Sequence, residues 1–204
     1  GVELGNASEE LRAFIEKADL PTGCTLLGLS VLPSSHPLNV GMLGMHGSLG
    51  ANKKTQECDL LIAVGMRFDD RITGKLSTYA TQAKKIHFDI DPSEINKNVN
   101  VDVAVLGDCK ETLAAVTALL EKKEHTEWRE SFRQYDEQES RIVIEPQIHP
   151  TSGPLRMGEV VRRVTELTAD KAVLVTDVGQ NQMMAARYFR FSQKRSIITS
   201  GGMG

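Results

Sequence analysis

The densest group of residues that could do chemistry follows a short apolar run in the first third of the chain. Leu60 to Val64 has the length of a strand buried on both faces, and Gly65 allows a sharp turn at its end. The next segment, Arg67 to Lys75, contains two arginines, one lysine and two adjacent aspartates. Guanidinium groups bind phosphate or carboxylate in a forked geometry, and carboxylates can hold a hydroxyl or pair with the arginines. We predict a ligand-binding loop here, with a solvated turn held by surface ion pairs as the alternative.

A second candidate is the glycine-rich stretch from Gly41 to Gly50. Its glycines at 41, 44 and 47 leave the backbone exposed, so a ligand could lie against main-chain N–H groups beside Met45 and His46. The stretch fits no dinucleotide or phosphate-loop template, and a flexible helix entry explains it equally well. His46 taken alone is typical of a hydrogen-bonded structural histidine.

A third candidate is the end of an alternating segment, Lys85 to Ile90. Asp89 or Asp91 would stand at the end of this strand, which is the usual place for a carboxylate that binds ribose hydroxyls. The alternative is a helix cap, because Pro92 can open a new turn.

The elements that would position these loops alternate between strands and helices. Parallel strands joined by helices place their carboxyl ends at one edge, where ligands bind. The sequence therefore predicts an α/β fold with a doubly wound parallel sheet. We also expect capping boxes at Asn6 with Glu9 and at Asp108 with Glu111. The predicted strands are 24–32, 60–64, 85–90 and 101–106, and the predicted helices are 7–18, 51–57, 76–82 and 109–122.

The chain changes character after residue 122. Trp128, Phe132 and Tyr135 recur at helical spacing in a highly charged stretch, which predicts an amphipathic helix packed on another element. The proline-rich stretch 142–154 predicts an extended linker. The domains expected are therefore 1–122, a connecting segment 123–152, and a second α/β unit over 153–204.

The second α/β unit should begin with a helix and a strand. Its helix carries one apolar face, formed by Met157, Val160, Val161, Val164 and Leu167. A strand at 172–176, a turn at 177–181, a helix to about Phe189 and a strand from Ile197 follow. Because the chain opens at a turn and ends in glycines, we expect an excised piece that lacks its first strand and later parts. The second unit must then lean on the first domain, pair with another chain or be poorly ordered.

Composition excludes several classes of protein. A hydrophobic fraction of 40% and a net charge of −3 argue against disorder and general nucleic-acid binding. No run reaches the length of a membrane span, and no signal peptide is visible. Cys24, Cys58 and Cys109 lack metal-ligand spacing and favour reduced thiols in a cytoplasmic protein.

Four motifs taken together resemble one enzyme family. They are LGMHG at 43–47, GMRFDDRITGK at 65–75, HFDIDPSEINKN at 87–98 and TDVGQNQM at 176–183. In this order and spacing they are similar to the catalytic subunit of acetohydroxyacid synthase (acetolactate synthase), a thiamine diphosphate enzyme of branched-chain amino-acid synthesis. The resemblance covers essentially the whole chain, and RFDDR is its most specific part.

The resemblance implies positions for two cofactors. Residues 1–122 would be most of a central FAD-binding domain, and 153–204 the start of a diphosphate-binding domain. Gly179 and Gln180 would contact thiamine diphosphate, whereas Asn181 departs from the usual histidine. Arg67 would receive the carboxylate of the second 2-oxo acid. The implied FAD contacts are Thr25, Leu26, Leu43, Gly44, Met45, His46, Gly65, Arg67, Asp69, Arg71, Ile72, Asp89, Ile90, Asp108 and Cys109.

The implied reaction is carboligation of two pyruvates, or of pyruvate and 2-oxobutyrate, with loss of CO2. The FAD of this family undergoes no net redox change. The resemblance also implies a homodimer or tetramer with a regulatory small subunit. The activating glutamate and the Mg2+ ligands would lie outside these residues, so this piece alone is expected to be inactive. The alternatives are a sister thiamine enzyme with a redox-active flavin, such as glyoxylate carboligase or pyruvate oxidase, and a non-catalytic nucleotide-binding module.

Overall fold

A computed structural model describes residues 1–200, and every strand pair within them is parallel. The strands form three hydrogen-bonded groups, β1–β2, β3–β4–β5 and β6–β7. The predicted α/β class is confirmed, while the expected glycine turn at 201–204 lies outside the described residues. The strands are β1 (Thr22–Cys24), β2 (Asn39–Met42), β3 (Leu60–Val64), β4 (Lys84–Asp89), β5 (Val103–Leu106), β6 (Leu174–Thr176) and β7 (Ile197–Thr199). The helices are α1 (Ser8–Ala18), α2 (Leu49–Thr55), α3 (Asp70–Thr73), α4 (Cys109–Leu119), α5 (Thr126–Glu139), α6 (Glu145–Ile148), α7 (Met157–Leu167) and α8 (Gln180–Tyr188).

Both faces of the β3–β4–β5 sheet are covered. Side chains alternate along a strand, so Phe88 packs with Phe14 on the face where α1 and α4 lie. His87 faces the opposite side, where its ring meets that of Phe68. That second face also carries Ala63 and Trp128. The sheet is therefore doubly wound, as the alternation of strands and helices along the chain predicted.

The predicted capping boxes have different outcomes. At Asp108 the cap is present, because its carboxylate accepts a hydrogen bond from the backbone N–H of Lys110 at 2.7 Å. At Asn6 the prediction was wrong. Asn6 adopts a left-handed conformation with φ of 52°, and Ala7 occupies the cap position of α1 without a side-chain bond.

The run 24–32 is mostly not a strand. β1 ends at Cys24, and a single 3-10 turn spans Leu26–Gly28. Leu29 and Leu32 are nevertheless buried, because irregular backbone packs them against the core. An apolar run alone cannot distinguish these conformations. β1 pairs with β2, a strand that contains Gly41 and that the sequence did not predict.

The predicted helix at 76–82 is also wrong. Only a 3-10 turn over Leu76–Thr78 forms. Ala80 has φ of 44° and is fully buried with Tyr79 in the second core cluster, so this segment packs as a turn.

The expected extended linker is partly helical. After α5, confirmed as the aromatic helix, a π-helical turn covers Ser140–Ile144 and leads into α6. Pro146 follows directly after the π-helical turn, an irregularity that accommodates a residue without a backbone N–H inside a continuous helical stretch. Within the predicted linker 142–154, residues 149–154 lack a helix.

The second unit leans on the first, which is one of the three expected outcomes. Phe189 and Phe191 belong to the same core cluster as Phe14 of α1. Phe191 exchanges two hydrogen bonds with Ser34, at 2.7 and 2.9 Å. The apolar face predicted for α7 is only partly covered, since Val161 packs inward but Leu167 is exposed.

No helix within residues 1–200 combines the length and the apolar character needed to cross a bilayer.

Candidate functional site

The carboxyl ends of β3, β4 and β5 lie side by side. The backbone N–H of Gly65 donates to the carbonyl of Phe88 at 2.8 Å, and that of Gly107 donates to the carbonyl of Asp89 at 3.0 Å. These bonds continue the parallel ladder beyond the last strand residues. The structure thus brings Gly65, Asp89 and the cap residue Asp108 to one edge of the sheet, as the sequence predicted.

The glycine-rich loop, residues 41–50, packs at this edge against residues 67–75, which we call the arginine loop. The N–H of Met45 donates to the carbonyl of Arg71 at 2.8 Å. Gly44 has φ of 96°, and a Cβ atom there would lie 2.4 Å from the same carbonyl oxygen. Asn52 of α2 supports Gly44 from the other side through two hydrogen bonds to its backbone, at 2.9 and 2.8 Å. Asn52 was not predicted as a site residue, since a helix-surface asparagine gives no signal by itself.

The end of β1 adjoins the glycine-rich loop. The N–H of Leu43 donates to the carbonyl of Cys24 at 2.9 Å, which extends the β1–β2 pairing. Thr25 and Leu26 follow at once and are partly buried. Thr25 and Leu26, which the resemblance names as FAD contacts, therefore lie near the glycine-rich loop that follows β2.

The arginine loop presents its charges to solvent. Asp69 caps α3, accepting from the N–H of Arg71 at 3.0 Å. Arg67 lies 3.7 Å from the Asp69 carboxylate, and Arg71 lies 3.1 Å from that of Asp70. Both guanidinium groups are 71% exposed, so these pairs are weak and the groups are accessible to a ligand. Both sequence interpretations, ligand loop and surface ion pairs, are compatible with this geometry.

A buried histidine supports the arginine loop from below. The Nε2 atom of His87 lies 2.8 Å from the carbonyl oxygen of Met66, and its Nδ1 atom has no partner within residues 1–200. Asn98 donates to the carbonyl of Phe68 at 3.1 Å. His87 and Asn98 were not predicted as site residues, although the polar residue inside the alternating segment KIHFDI could have indicated an inward-facing histidine.

The carboxylate of Asp89 is largely enclosed. Its Oδ1 atom accepts from the N–H of Asp91 at 2.9 Å, and its Oδ2 atom lies 3.6 Å from Nε2 of His87. Hydrogen bonds to Ser93 hold the pKa of the exposed Asp91 carboxyl below its ordinary value. Asp89 therefore uses Oδ1 in this turn, while Oδ2, which is too far from His87 for a hydrogen bond, can accept one from a hydroxyl group.

Cys109 is the first residue of α4, and its thiol is buried rather than reactive. Its side chain is buried, and burial raises the pKa of the thiol, helped by the charges of Asp108 and Asp89. A protonated, enclosed thiol is a packing group rather than a nucleophile.

A cavity of about 660 Å³ opens beside the glycine-rich loop. Gly44, Met45, Arg71 and Ile72 line one side of it, and Ile142 of the connecting segment lies on the other. A second cavity of about 580 Å³ shares Met45 and Ile142 but extends towards α8.

The residues predicted for the diphosphate stand in a different place. Gly179, with φ of 126°, precedes α8, and Gln180 is its first residue. The side chain of Asn181 accepts from the N–H of Gln182 at 2.8 Å. Arg187 near the other end of α8 contacts the glycine-rich loop, so roughly 10 Å of helix separates the two groups.

The donors at the strand ends fit a long, anionic nucleotide with an apolar ring system. Arg67 and Arg71 can meet a diphosphate, and exposed apolar side chains stand beside them, Met45 at 63% and Ile90 at 68% exposure. Among residues 1–200 there is no group of three His, Cys, Asp or Glu side chains able to hold a metal ion.

The fold is α/β with strand ends that gather at one edge, and sequence comparison gives the family. Residues 1–116 match the family described as "Thiamine pyrophosphate enzyme, central domain", so the chain belongs to that family.

Several relatives of this chain are named acetolactate synthases. The whole chain aligns with "Probable acetolactate synthase large subunit" of Methanocaldococcus jannaschii at 41% identity and with the "Acetolactate synthase large subunit" of Lactococcus lactis at 38%. It also aligns over its whole length with "Acetolactate synthase 1, chloroplastic" of Nicotiana tabacum at 38%. The chain covers 35%, 35% and 31% of these proteins, about a third of their length.

Proposed function

We propose that this chain forms part of the catalytic subunit of an acetolactate synthase. The reaction would join two pyruvates, or pyruvate and 2-oxobutyrate, with loss of CO2, in the synthesis of branched-chain amino acids. The observation that carries the proposal is the similarity to acetolactate synthases over the whole chain, through both α/β units. The convergence of strand ends on one edge supports it, since that edge suits a nucleotide cofactor.

FAD is the cofactor we propose for this edge. We assign its contacts to the backbone of the glycine-rich loop, to the arginine loop and to the ends of β1, β4 and β5. The exposed arginine side chains support a diphosphate contact, and the Oδ2 atom of the enclosed Asp89 carboxylate supports a hydroxyl contact. The assigned residues are Thr25, Leu26, Leu43, Gly44, Met45, His46, Gly65, Arg67, Asp69, Arg71, Ile72, Asp89, Ile90, Asp108 and Cys109.

Thiamine diphosphate, with Mg2+, is the second proposed cofactor, and it would serve as the electron sink of the carboligation. Gly179 and Gln180 are assigned to its diphosphate. Gly179 has a positive φ and directly precedes α8, and the free N–H groups at a helix start can bind an anion, which supports this assignment. The site would admit 2-oxo acids, and the name "large subunit" among the relatives supports a regulatory small subunit. We also propose a homodimer or tetramer and a cytoplasmic location.

The test uses the protein in its full natural length. Purified enzyme should carry FAD at one equivalent and form acetolactate from pyruvate when thiamine diphosphate and Mg2+ are supplied. Tartronate semialdehyde from glyoxylate, or flavin that is reduced and reoxidised in each turnover, would assign the protein to a sister enzyme. Absence of both bound FAD and carboligase activity would leave a nucleotide-binding module and overturn the proposal.

Arg67 gives a sharper test of the second-substrate role. Arg67→Ala should raise the KM for the second 2-oxo acid roughly tenfold to a hundredfold, because a charge-assisted hydrogen bond contributes about 1.5–3 kcal/mol. Arg67→Lys should recover only part of this, since lysine lacks the forked geometry. The exposed, ion-paired Arg133 of α5 provides the control, and Arg133→Ala should leave the KM unchanged. An unchanged KM in Arg67→Ala would remove this residue from the substrate site.

A further inference from the structure

Arg187 of α8 makes contacts that neither the predicted site nor the relatives' names account for. Its Nη1 atom donates to the backbone carbonyls of His46 and Gly47, at 3.3 and 3.1 Å. Its Nη2 atom donates to the carboxylate of Glu139 at the end of α5. The guanidinium group therefore ties the second α/β unit to the glycine-rich loop and to the connecting helix at the same time.

Glu139 completes the link from the other side. Its second carboxylate oxygen accepts from the backbone N–H of Leu49, the first residue of α2, at 3.0 Å. The carboxylate is 12% exposed and the guanidinium 21%, so the pair is largely shielded from water. Partial burial and the charge of Glu139 raise the pKa of the neighbouring Asp136 carboxyl. Arg187 supplies the positive charge that pairs with Glu139 in this acidic surrounding.

The pair stands where the two cavities meet. Glu139 and Gly47 line the larger cavity, while Arg187 and His46 line the smaller one. The first half of the glycine-rich loop is held by hydrogen bonds from Gly44 to Asn52 and from Met45 to Arg71. Arg187 and Glu139 hold its second half. Removing either partner would leave the other as a shielded, unpaired charge.

We propose that Arg187 is a positioning residue that fixes the backbone of residues 46–49 and thereby couples the second unit to the proposed flavin site. The coupling to flavin rests on the proposed function, whereas the effect on the loop does not. The fork of the guanidinium is suited to this role, because it reaches two carbonyls and a carboxylate with separate N–H groups.

Two measurements on the full-length protein test the proposal, hydrogen exchange of the loop amides and FAD affinity. In Arg187→Ala the amides of residues 46–49 should exchange at least tenfold faster. The dissociation constant for FAD should rise at least fivefold, while that for thiamine diphosphate should change less than twofold. Arg187→Lys keeps the charge without the fork and should recover only part of the protection.

Glu139→Gln offers a second route if Arg187→Ala does not fold. A glutamine side chain has one acceptor oxygen and no charge, so it cannot accept from both the N–H of Leu49 and the guanidinium of Arg187 as the carboxylate does. The backbone N–H of Leu49 should therefore exchange several-fold faster. If Arg187 and Glu139 act as one interacting pair, the loop amides of the double variant should exchange no faster than those of the faster single variant. Arg163→Ala is the control, because Arg163 forms an ion pair with Glu166 at 3.2 Å on the exposed side of α7.

The outcomes separate this proposal from the previous one. Unchanged exchange at 46–49 in both single variants, with only a lower melting temperature, would overturn the positioning role. Faster loop exchange without any change in FAD affinity would overturn the coupling to flavin. A wild-type protein that holds no FAD would contradict the proposed function, while the exchange measurement would still decide whether Arg187 positions the loop.

Discussion

At Gly44 the backbone has φ of 96°, and the space above its Cα atom is filled by the carbonyl group of Arg71. Two costs therefore apply to a side chain at this position. One is the positive φ, which any L-residue disfavours, and the other is the close approach of two loops.

Gly44→Ala should lower the free energy of unfolding by about 1–3 kcal/mol more than the matched change Gly153→Ala. Gly153 has φ of 95°, but no atom of residues 1–200 outside its immediate neighbours lies within 4 Å of the position that a Cβ would take. It therefore isolates the cost of the backbone conformation alone. Chemical denaturation of the two variants and the wild type measures the difference. Equal losses would show that the two loops can separate freely.

Cys24 gives the protein a dependence on alkaline pH. Burial raises the pKa of its thiol from the ordinary 9.0 to about 12, and the charge of Glu3 adds to this. Tyr79 is affected in the same direction, since burial raises its pKa to about 12. The folded protein therefore favours the protonated forms. The contribution of Cys24 is fully present below pH 9 and is lost as pH rises from 9 to about 12, and that of Tyr79 is lost between pH 10 and about 12.

The expected loss from Cys24 alone is about 2 kcal/mol between about pH 9 and 10.5, because each pKa unit corresponds to roughly 1.4 kcal/mol. Urea denaturation of the wild type and of Cys24→Ala at about pH 8, 9 and 10.5 would measure it. The variant should show a shallower decline, whatever its stability at the lowest pH. Parallel declines in both proteins would show that Cys24 ionises as easily folded as unfolded.

Candidate site residues at strand ends could be named from the sequence, whereas contacts made from other elements could not. Arg67 and Asp69 were named because charged residues after an apolar run are a local signal, and Asp89 because it ends an alternating segment. Asn52 and Arg187 carry no such signal. Asn52 binds the backbone of Gly44 across a turn, and Arg187 binds a carbonyl 141 positions away.

Among the elements, α4 shows how far a local signal can be trusted. Asp108 was predicted to cap this helix, and its carboxylate does accept from the N–H of Lys110. This cap could be predicted because donor and acceptor lie within one turn, whereas the same signal failed at Asn6, whose backbone is left-handed.

Asp108→Ala should lower the free energy of unfolding by about 1 kcal/mol, since an N–H group at the start of α4 would lose its acceptor. Asp108→Asn keeps an acceptor and should lose only a few tenths of that amount. Thermal or urea denaturation of the three proteins decides. An equal loss in both variants would mean that the charge, rather than the cap, provides the stabilisation.

Three elements were predicted wrongly, for one physical reason. Apolar residues at 24–32 and 76–82 are buried by irregular backbone, and the prolines of 142–154 do not prevent α6 from forming. In each case tertiary contacts decided the conformation. The buried Leu32 and Tyr79 would satisfy a strand or helix pattern equally well.

At the scale of the whole molecule, the second α/β unit shares a core with the first. Phe189 and Phe191 lie in the cluster that contains Phe14 and Leu113. Trp128, the single tryptophan, lies far along the chain in α5 beside the other cluster. Its fluorescence therefore reports on the first unit.

Phe189→Ala should destabilise the protein by about 3–5 kcal/mol and should shift the unfolding midpoint seen by Trp128 fluorescence. The shift is expected because a shared core makes the two units unfold together. Leu155→Ala in the same unit is the control, since Leu155 is exposed and its loss should cost less than about 0.5 kcal/mol. A fluorescence midpoint that stays in place, while α8 loses its protection from hydrogen exchange, would show two independent units.

The sequence by itself determined the α/β class, the strands β3, β4 and β5, and the charged loops that follow them. Those features depend on short-range alternation and on residues next to one another in the chain. Only the tertiary structure decided that β2 pairs with β1, that His87 supports the arginine loop, and that Arg187 and Glu139 join α8, α5 and the glycine-rich loop. Such contacts involve backbone groups that are remote in sequence. Because a backbone carbonyl is the same in every residue, the side-chain pattern does not predict which carbonyl will be bound.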